Sequence, residues 1–257
     1  MVGINTSMSG LPVEWEKRIK KHSPYTFIVD KNGRGTHSTI QDAFDAAYAV
    51  QRATANDFTV PKGIWIRGGE YREQTDLYAF GTLVQGDGVG AKILGDDEDG
   101  QLLRVTGAYN TFRDLWFYNT PGGGKTINCL YDLTQGGNYY SNVRIYGSDG
   151  YGWNLNVGNQ IDNCMGSTCD ADGFNCYSDG CKFTACNFGS NGAWGMNLGN
   201  NADNSTISGC YGYSNTSGDC VIQLHAENCV VVGNRFSSTT TVSDLSGTST
   251  VASNNLS

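Results

Sequence analysis

Six short segments between Phe112 and Phe236 share one pattern: an apolar residue, two spacers, a small or apolar residue, one spacer, and a bulky or small residue. They are Phe112-Leu115-Phe117, Tyr140-Val143-Ile145, Ile161-Cys164-Gly166, Phe183-Cys186-Phe188, Ile207-Cys210-Gly212 and Val231-Asn234-Phe236. Their first members step by 28, 21, 22, 24 and 24 residues. A period of this size, with Asn/Asp/Gly-rich connections, marks a solenoid. A unit this small cannot bury a core alone, so each must stack on its neighbours.

Composition selects the kind of solenoid. Helical repeats of about 34 to 47 residues do not fit the period, and the 35 glycines with abundant Asn, Ser and Thr disfavour helix. Leucine-rich repeats share the period but need several leucines per unit. The remaining architecture is all-β: a parallel β-helix, in which each coil lies ~4.8 Å above the last and equivalent side chains stack. Leu115, Val143, Cys164, Cys186, Cys210 and Asn234 then form one inward ladder. The odd total of nine cysteines, several of them on or beside such ladders, reads as small reduced core residues. It does not read as a disulfide framework or, with no Cys-x-x-Cys pair, as a zinc site.

The formal net charge of −8 makes nucleic acid and anionic membrane poor partners. From residue 101 onward there are six basic residues against eleven acidic ones, so no positive field is expected over the repeats. No secretory signal opens the chain, and no run approaches a membrane span. Residues 1–24 read as a polar arm or leader with a basic stretch, Trp15 to His22. Residues 25–257 read as one domain, with coils over about 58–240. The segment 38–51 reads as an amphipathic helix capping the solenoid, begun by a capping box of Ser38 and Gln41. Its apolar positions Ile40, Ala43, Phe44, Ala47 and Tyr48 share a face.

Three stretches carry a resemblance: Thr39-Ile40-Gln41-Asp42-Ala43; Ile66 through Glu73 (IRGGEYRE); and Gly86-Asp87-Gly88 through Ile93-Leu94-Gly95. Together with Arg104 to Gly107 and Phe112 to Thr120, they resemble the N-terminal third of pectin methylesterases over roughly residues 25–120. More broadly the chain is similar to the pectin-lyase-like β-helices, which include bacteriophage tailspikes and other virion proteins. The resemblance implies a right-handed parallel β-helix with an N-terminal cap. It also implies a virion location after synthesis in host cytoplasm, and a homotrimer that decorates a capsid or forms a short spike. The arm would contact other virion proteins, and bacterial surface polysaccharide is a further expected partner. Catalysis is not carried over, because the Asp-Phe-x-Phe-Gly and Gly-Arg-Pro-Trp motifs of the esterases are absent. The ordered Asn-Thr-Asp, Asp-Asp, Gly-His-Gly and Arg-Ile-Lys set of polygalacturonases is absent too.

Few residues remain for chemistry. Asp170 and Asp172, at i and i+2, would share a face if extended and would suit paired-carboxylate catalysis in a polysaccharide hydrolase or lyase. The competing reading is a turn ladder in which Asp172-Gly173 repeats Asp149-Gly150 and Asn191-Gly192. His225 and Glu227 could act as a His–carboxylate base, although a surface turn explains them as well. The acidic run Asp96-Asp97-Glu98-Asp99 is the only hint of Ca²⁺, and a solvated turn accounts for it; no cofactor or metal is expected. Outward aromatics among Trp116, Tyr118, Tyr139, Tyr151, Trp153, Tyr177, Trp194, Tyr211 and Tyr213 would make a glycan platform or a subunit contact.

Overall fold

The computed structural model describes residues 26–54, 62–95, 100–119, 127–134, 136–237, 242–246 and 250–251. The leader and the acidic run at 96–99 lie outside these residues. The chain winds as a parallel β-helix of three sheets with ten, eight and eight strands. In each coil the chain passes from the first sheet to the second to the third and then climbs to the next rung. Every strand pairing is parallel, as stacking of successive coils requires.

The bend between first and second sheets explains the repeat. Asp114, Asn142, Asn163 and Ala185 hold φ near +50°, followed by Gly209 and Gly233 at +62° and +64°. One left-handed residue reverses the chain sharply, which is why Asn, Asp and Gly dominate the column. The residue after it turns inward. Leu115, Val143, Cys164, Cys186, Cys210 and Asn234 are all 2% exposed or less, so the expected ladder is present.

Register makes the core a set of columns. Val84, Phe112, Tyr140, Ile161, Phe183, Ile207 and Val231 line the first sheet. On the third sheet, Leu103, Leu130, Trp153, Phe174, Met196 and Cys220 stack in turn. Phe112 and Tyr140 stack with centroids 4.9 Å apart, and so do Trp153 and Phe174 at 5.3 Å. The polar residues inside are satisfied along the axis. The amides of Thr82, Asn110 and Asn138 each donate to the side-chain oxygen of the asparagine one coil above. Asp132, fully buried, accepts from Thr134, Asn138 and Tyr140, as burial of a carboxylate demands. All nine cysteines are buried and none is in a disulfide, and desolvation raises the thiol pKa of Cys129 and of Cys164 to about 12.

The cap is a helix, α1 (Ile40–Ala53), packed on the first coil through Ile40, Ala43, Phe44, Ala47 and Gln51. It starts two residues later than the sequence indicates, and the capping box is not made. Thr39 is the N-cap and accepts from the Asp42 amide at 3.1 Å. The Glu73 carboxylate, from the coil below, accepts from the amides of Ile40 and Gln41. Gln41 is thereby free to bond the backbone of Asp76. An acid reaching the first turn from the coil answers the helix dipole better than a neutral amide can. No helix among the described residues is long and apolar enough to cross a membrane.

Candidate functional site

The outer faces differ sharply in chemistry. Outward positions of the second sheet are the residues one and three places after each inward ladder residue, because side chains alternate along a strand. One outward column runs Glu70, Lys92, Trp116, Arg144, Met165, Asn187, Tyr211, Arg235; its neighbour runs Arg72, Leu94, Tyr118, Tyr146, Ser167, Gly189, Tyr213. Four cations that lie far apart in sequence thus share one face with a single carboxylate, Glu70. Of the basic residues from 101 onward only Arg144 and Arg235 are in these two columns, and none of the acidic residues of that stretch is.

A cavity of about 250 Å³ opens at the N-terminal end of this face, lined by Glu70, Arg72, Lys92, Leu94, Gly95, Trp116 and Tyr118. Lys92 Nζ lies 3.9 Å from Glu70 and 5.7 Å from the centre of the Trp116 ring. Tyr118 stacks on Tyr146 at 5.5 Å with planes 4° apart. By register Leu94 lies on the other side of Tyr118. The indole Nε1 of Trp116 is buried and has no acceptor. Towards the C-terminal end the same face is closed. Tyr213 lies so close over Gly189 that any β-carbon there would strike its ring. Tyr211 stacks on Tyr213 at 5.2 Å and carries Arg235 at 5.4 Å.

The third sheet presents amides instead. Its outward column runs Asp76, Arg104, Tyr131, Asn154, Asn175, Asn197, Val221, Ser243. Asn175 donates to Asn154 at 3.0 Å, Gln223 donates to Asn197 at 3.2 Å, and Asn197 donates to Asp172 at 2.9 Å. Arg104 is paired with Asp76 at 3.2 Å. Most of the polar groups of this face are engaged within it, although the Arg104 Nε, buried beside Asp76, makes no hydrogen bond.

The sequence candidates separate accordingly. Asp172 is buried while Asp170 is exposed, so the two do not form a carboxylate pair. Both oxygens of Asp172 are engaged, by the Trp194 amide at 2.8 Å and by Asn197. Desolvation raises its pKa against the lowering effect of those two bonds. The turn-ladder register also needs correction. Gly150, Ala171, Ala193 and Ser217 are bonded in one column, so Asp172 shares its rung with Tyr151 and Trp194 and is offset from Asp149 and Asn191. His225 and Glu227 are exposed, and no hydrogen bond joins them; the Glu227 amide donates to Asp203.

Among the aromatics, Trp116, Tyr118, Tyr211 and Tyr213 fall on the second-sheet face, as does Tyr146, which sequence reasoning did not single out. Tyr151, Tyr177 and Trp194 are half-buried beside the third sheet, where the Tyr177 hydroxyl donates to the Asp132 carbonyl. Trp153 is not an outer-face residue. It is fully buried, stacked on Phe174, with its Nε1 donating to the Met165 carbonyl at 2.9 Å. Its strand, Trp153–Leu155, alternates inward–outward–inward, so only Asn154 faces out. Among the described residues no group of three His, Cys, Asp or Glu side chains converges as a metal site.

No family model matches the chain, and no curated protein matches it. Among solved structures it is similar to the A-module of a mannuronan C-5 epimerase from Azotobacter vinelandii. The identity is 15% and the TM-score 0.47, over 81% of this chain and 74% of that one. It is also similar to a pectin methylesterase in complex with a hexasaccharide, at 15% identity and TM-score 0.43, over 86% and 66%. The likeness concerns fold and carries no chemistry across.

Proposed function

We propose that this protein is a carbohydrate-recognising β-helix that binds without cleaving, through the outer face of its second sheet. The observation that carries the reading is the cavity at Glu70, Arg72, Lys92, Trp116 and Tyr118. It joins an aromatic wall to charged hydrogen-bonding groups, the pairing that suits the apolar and hydroxylated sides of a sugar. Binding is favoured over hydrolysis because the only buried candidate carboxylate, Asp172, has both oxygens committed to the fold. Glycan-array binding that is lost in Tyr118→Ala, with no reducing or unsaturated ends released from the bound glycans, is the expected result. Sugar-end release abolished by Asp172→Asn would replace this reading with a hydrolase or lyase.

The setting we propose is a virion surface, with the chain as a homotrimer decorating a capsid or short spike and adhering to host glycans. The burial of all nine thiols, none of them in a disulfide, supports synthesis in a reducing cytoplasm. Co-purification with particles, and a trimer mass by light scattering, are the expected outcomes. A monomer that never sediments with particles would remove the setting and leave the binding site untouched.

A further inference from the structure

The cavity's size and charge point to a ligand class, and the inference rests on the carbohydrate reading above. Pockets for drug-sized ligands run from about 300 Å³ upward, so 250 Å³ accommodates one sugar-sized unit. The charges inside do not cancel. Glu70 and Lys92 are paired with each other. Arg72, exposed on the adjacent column, has no carboxylate within ion-pair distance among the described residues. The Trp116 Nε1 donor also lacks an acceptor. The site therefore carries one guanidinium that no described carboxylate neutralises. Its apolar side is Leu94 with the face of Tyr118 that Tyr146 does not cover. Along the solenoid axis the cavity ends at Tyr118, whose ring stacks on Tyr146 of the next coil.

We infer that the cavity takes a single anionic sugar unit, at a chain end or on a side branch. Its carboxylate forms a bidentate pair with Arg72, and its C–H face lies on Tyr118. Bidentate guanidinium–carboxylate pairing is the strong and directional form of this contact. The charge requirement weakens binding as salt screens it.

Calorimetric titration with glucuronic acid, glucose and polygalacturonate of graded length tests the inference, using wild type, Arg72→Gln and Tyr118→Ala. Arg72 is exposed, and the circular dichroism spectra of both variants should match that of wild type. Glucuronic acid should bind at least about tenfold more tightly than glucose, with an affinity that falls as salt rises. Arg72→Gln should erase that preference, and Tyr118→Ala should weaken both sugars. Polygalacturonate should bind in proportion to its ends. The inference is overturned, with carbohydrate recognition intact, if glucose matches glucuronic acid, if Arg72→Gln binds as wild type, or if affinity per chain rises with polymer length. If neutral and acidic sugars all fail to bind, the carbohydrate reading falls with it.

Discussion

The second and third sheets are built from the same coils at the same rise, yet they spend their outward polar groups differently. On the third sheet the amides of Asn154, Asn175, Asn197 and Gln223 engage one another and Asp172, and Arg104 is paired with Asp76. On the second sheet Arg72 and Arg144 stand exposed, Trp116 keeps an unused donor, and a cavity opens beside Tyr118. A solenoid needs outward ladders for solubility and lateral cohesion, and the third sheet supplies them. What the second sheet leaves unsatisfied at its N-terminal end has no role in holding coils together. On the proposed function, the contrast sets stability on one face against recognition on the other.

The largest expected effect lies beneath both faces. Trp153 joins the Tyr140, Phe174 and Leu130 columns, so Trp153→Ala should cost about 3 to 5 kcal/mol in denaturant unfolding, as truncation of a buried aromatic does. A loss under about 1 kcal/mol would mean the residue is exposed, as the sequence alone allows. Next comes the interior asparagine ladder. Asn138→Ala leaves the Asn110 amide and Asp132 short of partners and should cost about 1 to 3 kcal/mol.

Asn175→Ala, on the outward third-sheet ladder, should cost about 0.5 to 1.5 kcal/mol and leave glycan binding unchanged. Arg72→Gln on the second sheet should reverse that pattern, altering binding while moving stability by about 0.5 kcal/mol or less. The smallest effect is a pH slope. Desolvation raises the Asp172 carboxyl pKa above its ordinary value, so folding takes up protons there. Its contribution is most favourable at and below the ordinary carboxylate range and declines as pH rises towards the folded-state value. Asp172→Asn should flatten the part of the urea-unfolding profile that lies just above the ordinary carboxylate range. Glu73, also raised by burial, contributes a slope of the same sign that the substitution leaves in place.

Much of this was legible in the residues. The step of twenty-odd residues and the Leu115-to-Asn234 ladder identified coil, period and register, because stacking forces equivalent positions to repeat. Handing the capping role to Glu73 was not legible, since it joins residues from separate coils. The recognition face was implicit. Trp116, Arg144, Tyr211 and Arg235 each follow a ladder residue directly, and Tyr118, Tyr146 and Tyr213 come two places later. Counting charges along the chain hid this, because a solenoid sorts residues by position within the repeat and ignores their distance in sequence. Trp153 misled for the same reason: its strand had no assigned phase, and without phase an aromatic cannot be placed inside or out. Asp170 and Asp172 looked paired at spacing i, i+2, but the turn between them breaks the alternation that the spacing presumes.

The most direct test of the two-face account is a side-by-side titration of Tyr118→Ala and Asn175→Ala with the glycan that wild type binds best. The account predicts that Tyr118→Ala abolishes binding with a near-native unfolding midpoint, and that Asn175→Ala binds as wild type with a lowered midpoint. Loss of binding in Asn175→Ala with retention in Tyr118→Ala would contradict it and move recognition to the third sheet.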